Sequence, residues 1–190
     1  PVNTPDVGAF WRVIEQHKVT AVFSAPTAFR AIKKEDPKAD YLKQYDIGSL
    51  QRIYMAGERL DPATYEWTTE VTGRPVYDHW WQTESGWPMC ANPVGVGATP
   101  VKPGSSSLPV PGYEIAVLDT AGKPLPAGEE GAICVRLPLP PGCLPTLWNA
   151  PERFHASYLE EFPGCYKTAD AGLMDEDGYL YIMARTDDII

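Results

Sequence analysis

Apolar positions in the first half of the chain alternate between two spacings. Ala9, Phe10, Val13, Ile14 and His17 recur at the interval of one helix face, and the β-branched run at residues 19–23 then reads as a buried strand. Pro26 and Thr27 open a second helix that carries Phe29 and Ile32. Residues 50–55 form a second strand, closed by Gly57. Asp61 and Pro62 supply an N-cap and a first-turn proline for a helix holding Tyr65 and Trp67, which stops at Gly73. Strands alternating with helices imply a largely parallel sheet, whose ligands sit beyond the carboxyl ends of the strands. Residues 56–59 and 78–84 fall at such ends.

The pattern changes near Asn92, where Pro and Gly begin to punctuate short strands. Residues 113–118 and 131–137 read as two of them, joined through a turn at Ala121 and Gly122. One helix interrupts this part, starting at Pro151 and Glu152 with Phe154, Tyr158 and Leu159 on its apolar face. Near the end, two apolar runs flank Asp175, Glu176, Asp177 and Gly178, a hairpin signal because Asp-Gly tolerates positive φ. The expected organisation is an α/β subdomain over residues 1–92 and a β-rich subdomain over residues 93–186.

Composition narrows the function. With 44% hydrophobic residues in 190, the chain can bury a core, and 16 Gly with 20 Pro fit many turns and short strands. A net charge of −9 argues against a nucleic-acid surface, which needs a dense positive field. It leaves room for one nucleotide, because magnesium, a few aimed Arg side chains and backbone N–H groups can offset phosphate charge locally. Cys90, Cys134, Cys143 and Cys165 form no C-x-x-C pair, so reduced thiols are expected. No apolar run reaches the roughly 20 residues that span a bilayer. Composition therefore points away from nucleic acid and membrane and towards a soluble, intracellular chain.

The most informative stretch is Asp78-His79-Trp80-Trp81-Gln82-Thr83-Glu84-Ser85-Gly86. Tandem indoles offer flat walls for a purine or an acyl chain, Gln and Thr present hydrogen-bonding groups, and a carboxylate can hold magnesium. A strand end whose tryptophans simply pack while the polar residues cap a turn accounts for the same residues. Chemistry alone leaves both readings open. Ser85 lies outside a G-x-S-x-G elbow, which disfavours a serine hydrolase. His17, His79 and His155 lack ligand spacing.

This stretch resembles the D-x-W-W-Q-T-E-[ST]-G signature of short-chain acyl-CoA synthetases in the adenylate-forming superfamily, and propionyl-CoA synthetases in particular. Three further segments are similar in the same order. They are Phe23-Ser24-Ala25-Pro26-Thr27-Ala28, Ala56-Gly57-Glu58-Arg59, and Tyr166-Lys167-Thr168-Ala169-Asp170 followed by Ala184-Arg185-Thr186-Asp187-Asp188. The resemblance implies part of a large N-terminal domain, an α/β sheet subdomain followed by a β-rich subdomain shaped as a distorted barrel.

The same resemblance assigns roles. Gly57, Glu58 and Arg59 would lie beside the adenine, with Asp78, His79, Trp80, Trp81, Gln82 and Thr83 completing the nucleotide wall. Glu84 would coordinate Mg2+, Thr83 would donate to phosphate, and Asp170 and Arg185 would hold the ribose and phosphate side. Ala56 and Trp81 would bound the acyl pocket, and Ala56 in place of a larger Val would favour propionate over acetate. Asn3 would lie near CoA. Asp187, in residues 187–190, would be the hinge to a C-terminal lid. The implied partners are small molecules, a short-chain carboxylate with ATP, Mg2+ and CoA as cofactors and co-substrates, in a cytoplasmic setting, or the mitochondrial matrix if the source is eukaryotic. The chain would then be an internal stretch that is inactive alone, its phosphate loop and catalytic lysine lying outside it. Ala169 and Ala184 depart from the pattern, which has Gly at both places; an Ala needing positive φ there would be strained. The competing readings are an acetyl-CoA synthetase or another adenylate-forming ligase, and a non-catalytic binding module.

Overall fold

The computed structural model describes residues 4–186, which fall into two compact units divided between Asp78 and His79. The first alternates α1 (Ala9–His17), β1 (Ala21–Ser24), α2 (Pro26–Glu35), a short 3-10 turn, β2 (Arg52–Met55), α3 (Pro62–Thr72) and β3 (Val76–Asp78). The three strands are parallel in the order β1-β2-β3, as the alternating pattern predicts. Their register aligns Ser24, Met55 and Asp78 at the carboxyl ends. Local signals set the helix limits. Asp61 caps α3 by accepting from the Thr64 N–H at 2.9 Å, and Gly73 ends it in the left-handed conformation. Trp11, Ile14, Phe29, Ile32, Leu50, Ile53 and Met55 make the core.

The second unit contains a two-stranded ribbon, β4 (Cys90–Ala91) with β5 (Leu108–Pro109), and a four-stranded antiparallel sheet. That sheet runs β6 (Ile115–Leu118), β7 (Gly131–Arg136), β8 (Cys165–Met174) and β9 (Leu180–Arg185), with α4 (Pro151–Tyr158) inserted before β8. The distorted barrel implied by the resemblance is not closed among the described residues. β6 and β9 are opposite edges of an open sheet, and four strands are too few to wrap, since small barrels use about five to eight.

Period-two alternation sends the two faces of this sheet into separate cores. Ile133 and Val135 pack with Trp80, Met89, Cys90, Tyr166 and Leu180, while Cys134 between them packs with Ala116, Leu118, Phe162 and Cys165. All four cysteines are free thiols. Burial raises the Cys90 pKa, and burial, then the neighbouring Cys165, pushes Cys134 up to about 12. The β8–β9 hairpin turns at Gly178 and is held by Lys102, whose ammonium lies 2.6 Å from both the Asp175 and Asp177 carboxylates. Among the described residues no helix is long and apolar enough to cross a membrane.

Candidate nucleotide site

The tryptophan-rich stretch leaves β3 and enters the second unit as a bridge: Trp80 pairs with Cys90, its N–H donating to the Cys90 carbonyl at 3.0 Å. A tight turn follows. The Ser85 hydroxyl lies 2.8 Å from the Gln82 and Trp87 carbonyls and accepts from the Gln82 N–H at 3.0 Å. Gly86 closes the turn at φ 62, and a Cβ added there would sit 3.0 Å from the Gly142 carbonyl oxygen. Glycine suits the turn on both counts, taking the left-handed φ without strain and leaving room for that oxygen. The 140s loop also donates the Leu144 N–H to the Glu84 carbonyl at 2.6 Å. That bond ties the Glu84 backbone to the 140s loop.

The second wall comes from an irregularity in β8. Ile133 pairs with Asp170 but Cys134 with Lys167, so Thr168 and Ala169 have no ladder partner and bulge out. Thr168 fills the gap: its hydroxyl donates to the Ile133 carbonyl at 2.6 Å and accepts from the Asp170 N–H at 3.1 Å. Ala169 takes φ 58, the left-handed conformation, and its carbonyl accepts from the Thr186 N–H at 2.8 Å. Ala184 lies in β9, paired with Ala171, and does not share that conformation. A cavity of about 630 Å3 runs along the bulge, lined by Phe162, Lys167, Ala169, Asp170 and Thr186 among others.

The bulge delivers Asp170 to the turn. Its Oδ2 accepts from the Trp80 indole N–H at 2.9 Å and from the Gln82 amide at 2.7 Å, while the Arg185 Nε stands 3.8 Å from Oδ1. Asp170 is buried, with only 7% of its side chain exposed. Two N–H donors offset the cost of keeping such a carboxylate there, and the Arg185 Nε stands at ion-pair distance. The amide of Gln82 is oriented from its other end, where Tyr166 donates its hydroxyl to Oε1 at 3.1 Å. Burial, reinforced by the negative charge of Glu84, raises the Tyr166 pKa, so this hydroxyl stays a donor. Gln82 also donates to the Thr168 carbonyl at 2.6 Å. Its polar atoms face these protein groups.

Glu84 is half-buried, and its Oε1 accepts from the Tyr158 hydroxyl at 3.1 Å. The Tyr158 ring stacks on Tyr166 with centroids 5.4 Å apart and planes 11° from parallel. Among the described residues no three His, Cys, Asp or Glu side chains gather to hold a metal. A single carboxylate suits a magnesium ion that arrives on phosphate oxygens, since Mg2+ is commonly held by one or two carboxylates plus substrate phosphates. Glu84 fits that group.

The remaining candidates are distributed by motif. Ala56 is buried just after β2, and Gly57 follows at φ 97. Glu58 accepts from the Thr27 N–H in the first turn of α2 at 3.1 Å and pairs with Arg30. Arg30 also reaches the Asp61 carboxylate and the Arg59 carbonyl, each at 3.3 Å. Burial pulls the Asp61 pKa up, yet its bonds from Thr64 and Arg30 bring it below the usual range. Asp78 is buried at the end of β3; His79 is buried at the start of the second unit, and burial pushes its imidazole pKa down. Trp81 and Thr83 are exposed. Asn3 and Asp187 lie outside the described residues.

Trp80, Gln82, Asp170 and Arg185 therefore meet, with Glu84 joined to them through two tyrosines. Sequence reasoning missed Arg30, Tyr158 and Tyr166 as members of these networks. Tyr166 stands in the same motif as Asp170, which was a usable signal. Tyr158 and Arg30 gave none, being an apolar-face tyrosine and an arginine inside an ordinary helix.

The protein-family model described as AMP-binding enzyme matches residues 1–140. The chain is 55% identical over 190 residues to an uncharacterized protein of Pseudomonas aeruginosa, covering all of this chain and 30% of that protein. It is 50% identical over 191 residues to the mitochondrial acyl-CoA synthetase short-chain family member 3 of Homo sapiens, covering 28% of it. Against the propionate–CoA ligase of Salmonella typhimurium it is 42% identical over 188 residues, covering 98% of this chain and 30% of the ligase. The chain thus spans less than a third of the length of these relatives.

Proposed function

Because this chain belongs to the AMP-binding enzyme family, we propose that its protein joins a short-chain carboxylic acid to CoA through an acyl adenylate, with propionate preferred over acetate. A carboxylate resists nucleophiles because of its charge, so the acid first needs a better leaving group. In the first step its oxygen attacks the α-phosphorus of ATP and pyrophosphate leaves. In the second the CoA thiol displaces AMP, giving the thioester.

The observation that supports this reading is the convergence on Asp170. A carboxylate held by Trp80 and Gln82, beside Arg185, is pre-set to receive hydroxyl donors such as those of a ribose. It is presented by a bulge whose apex, Ala169, holds a conformation unfavourable for alanine, the kind of strain that gathers at functional sites. In this reading Arg185 faces the ribose and phosphate, Thr83 donates to phosphate oxygen, and Gly57, Glu58 and Arg59 border the adenine. Glu84 would hold magnesium, which when bound spreads the phosphate charge. The name of the Salmonella relative and the small side chain of Ala56 support propionate.

Two measurements on the full-length protein test the proposal. Asp170→Asn removes the charge at constant shape and should weaken AMP binding by roughly 10- to 100-fold, the worth of a hydrogen bond to a charged group. Titration calorimetry showing unchanged affinity would remove Asp170 from the site. Ala56→Val should shift the ratio of kcat/KM for propionate over acetate towards acetate by about tenfold, since one methylene is worth ~1–3 kcal/mol. An unaltered ratio would leave the acid unassigned while preserving the adenylation chemistry.

A further inference from the structure

The Tyr158 hydroxyl is the single side-chain donor on Glu84 among the described residues. It projects from the last turn of α4, a helix outside every segment that resembles the family signature. We infer that Tyr158 is a positioning residue that aims the Glu84 carboxylate at the metal–nucleotide complex, an inference that rests on the reading of Glu84 above.

Three observations carry it. The hydroxyl holds only Oε1, so it fixes the rotation of the carboxyl group while Oε2 has no hydrogen-bond donor among the described residues. The ring is itself packed, stacked on Tyr166 with centroids 5.4 Å apart and in tilted contact with Phe154, also at 5.4 Å. Tyr166 in turn sets the Gln82 amide that donates to Asp170. One rigid ring pair therefore ties the carboxylate proposed for metal to the carboxylate proposed for ribose, and α4 serves to place it. A ligating carboxylate whose outer partner is removed typically loses about tenfold or more in metal affinity.

The test uses the full-length protein, with Mn2+ titrated by electron paramagnetic resonance in the presence of α,β-methylene-ATP and, separately, AMP binding without metal. Tyr158→Phe keeps the stack and deletes the hydroxyl. It should weaken Mn2+ binding about tenfold while AMP affinity stays within about twofold. Tyr158→His, which keeps a ring and an N–H donor, should recover part of the loss. Unchanged Mn2+ affinity in Tyr158→Phe, or an equal fall in AMP affinity, overturns the inference. Glu84→Gln separates the two levels. If it weakens Mn2+ binding while Tyr158→Phe does not, only the role of Tyr158 fails; if neither does, the assignment of Glu84 fails and takes this inference with it.

Discussion

Ala169 and Ala184 occupy the two places where the acyl-CoA synthetase pattern has glycine, and the structure predicts opposite outcomes for restoring it. At Ala169, φ 58 places Cβ against the following carbonyl oxygen, costing ~1–2 kcal/mol. Glycine removes that clash but adds freedom to the unfolded chain worth ~0.5–1 kcal/mol. Ala169→Gly should therefore be stabilising by about 0.5–1 kcal/mol. Ala184 sits in β9 paired with Ala171, so Ala184→Gly relieves nothing and should cost about 0.5–1 kcal/mol. The two variants are composition-matched, and only the backbone at each site decides the sign. Urea unfolding of the full-length protein followed by indole fluorescence reads the difference. With a slope near 2 kcal/mol/M, midpoints should move apart by about 0.5–1 M in total. A destabilised Ala169→Gly, or two variants shifted in the same direction, would refute the argument that Ala169 is strained.

Two further outcomes follow from the site. Gly86→Ala should destabilise by more than about 1 kcal/mol, since it combines a left-handed φ of 62 with a Cβ only 3.0 Å from the Gly142 carbonyl; a midpoint within error of the parent would contradict that. His79 should make stability fall on acidification. Its folded pKa is depressed by burial, so below about 6.5 the unfolded chain binds more protons, and the contribution present above that pH is lost as pH falls towards the folded value. Urea midpoints at several pH values between about 7.5 and 5.5 should slope less steeply in His79→Gln than in the parent, and identical slopes would exclude His79 as the cause.

Much of the first unit was legible because its signals are local. Asp61 and Gly73 mark the ends of α3 through backbone chemistry within four residues, and Phe29 and Ile32 declare the buried face of α2 by spacing alone. The second unit was harder. β8 runs through Lys167, Thr168 and Asp170, polar residues that hide its strand periodicity, and its bulge is bridged by a bond from Thr168 to the Ile133 carbonyl on another strand. The openness of the four-stranded sheet depends on which strands lie at its edges, something no local pattern encodes. At the site, the residue types were readable from the resemblance but their orientations were not. Gln82 offers an amide that suits a purine as well as a carboxylate, and only the folded positions of Tyr166 and Asp170 show which groups engage it.

The buried thiols of the ribbon and of the four-stranded sheet have a further consequence. Cys90 and Cys134 are both sealed from solvent and held in the unreactive, protonated form, whereas Cys143 is only half-buried, so at those two positions an alkylating reagent meets a nucleophile only after the strands part. Their modification rate is a clock for the breathing of the scaffold beneath Asp170, supplied by the protein itself without any added label.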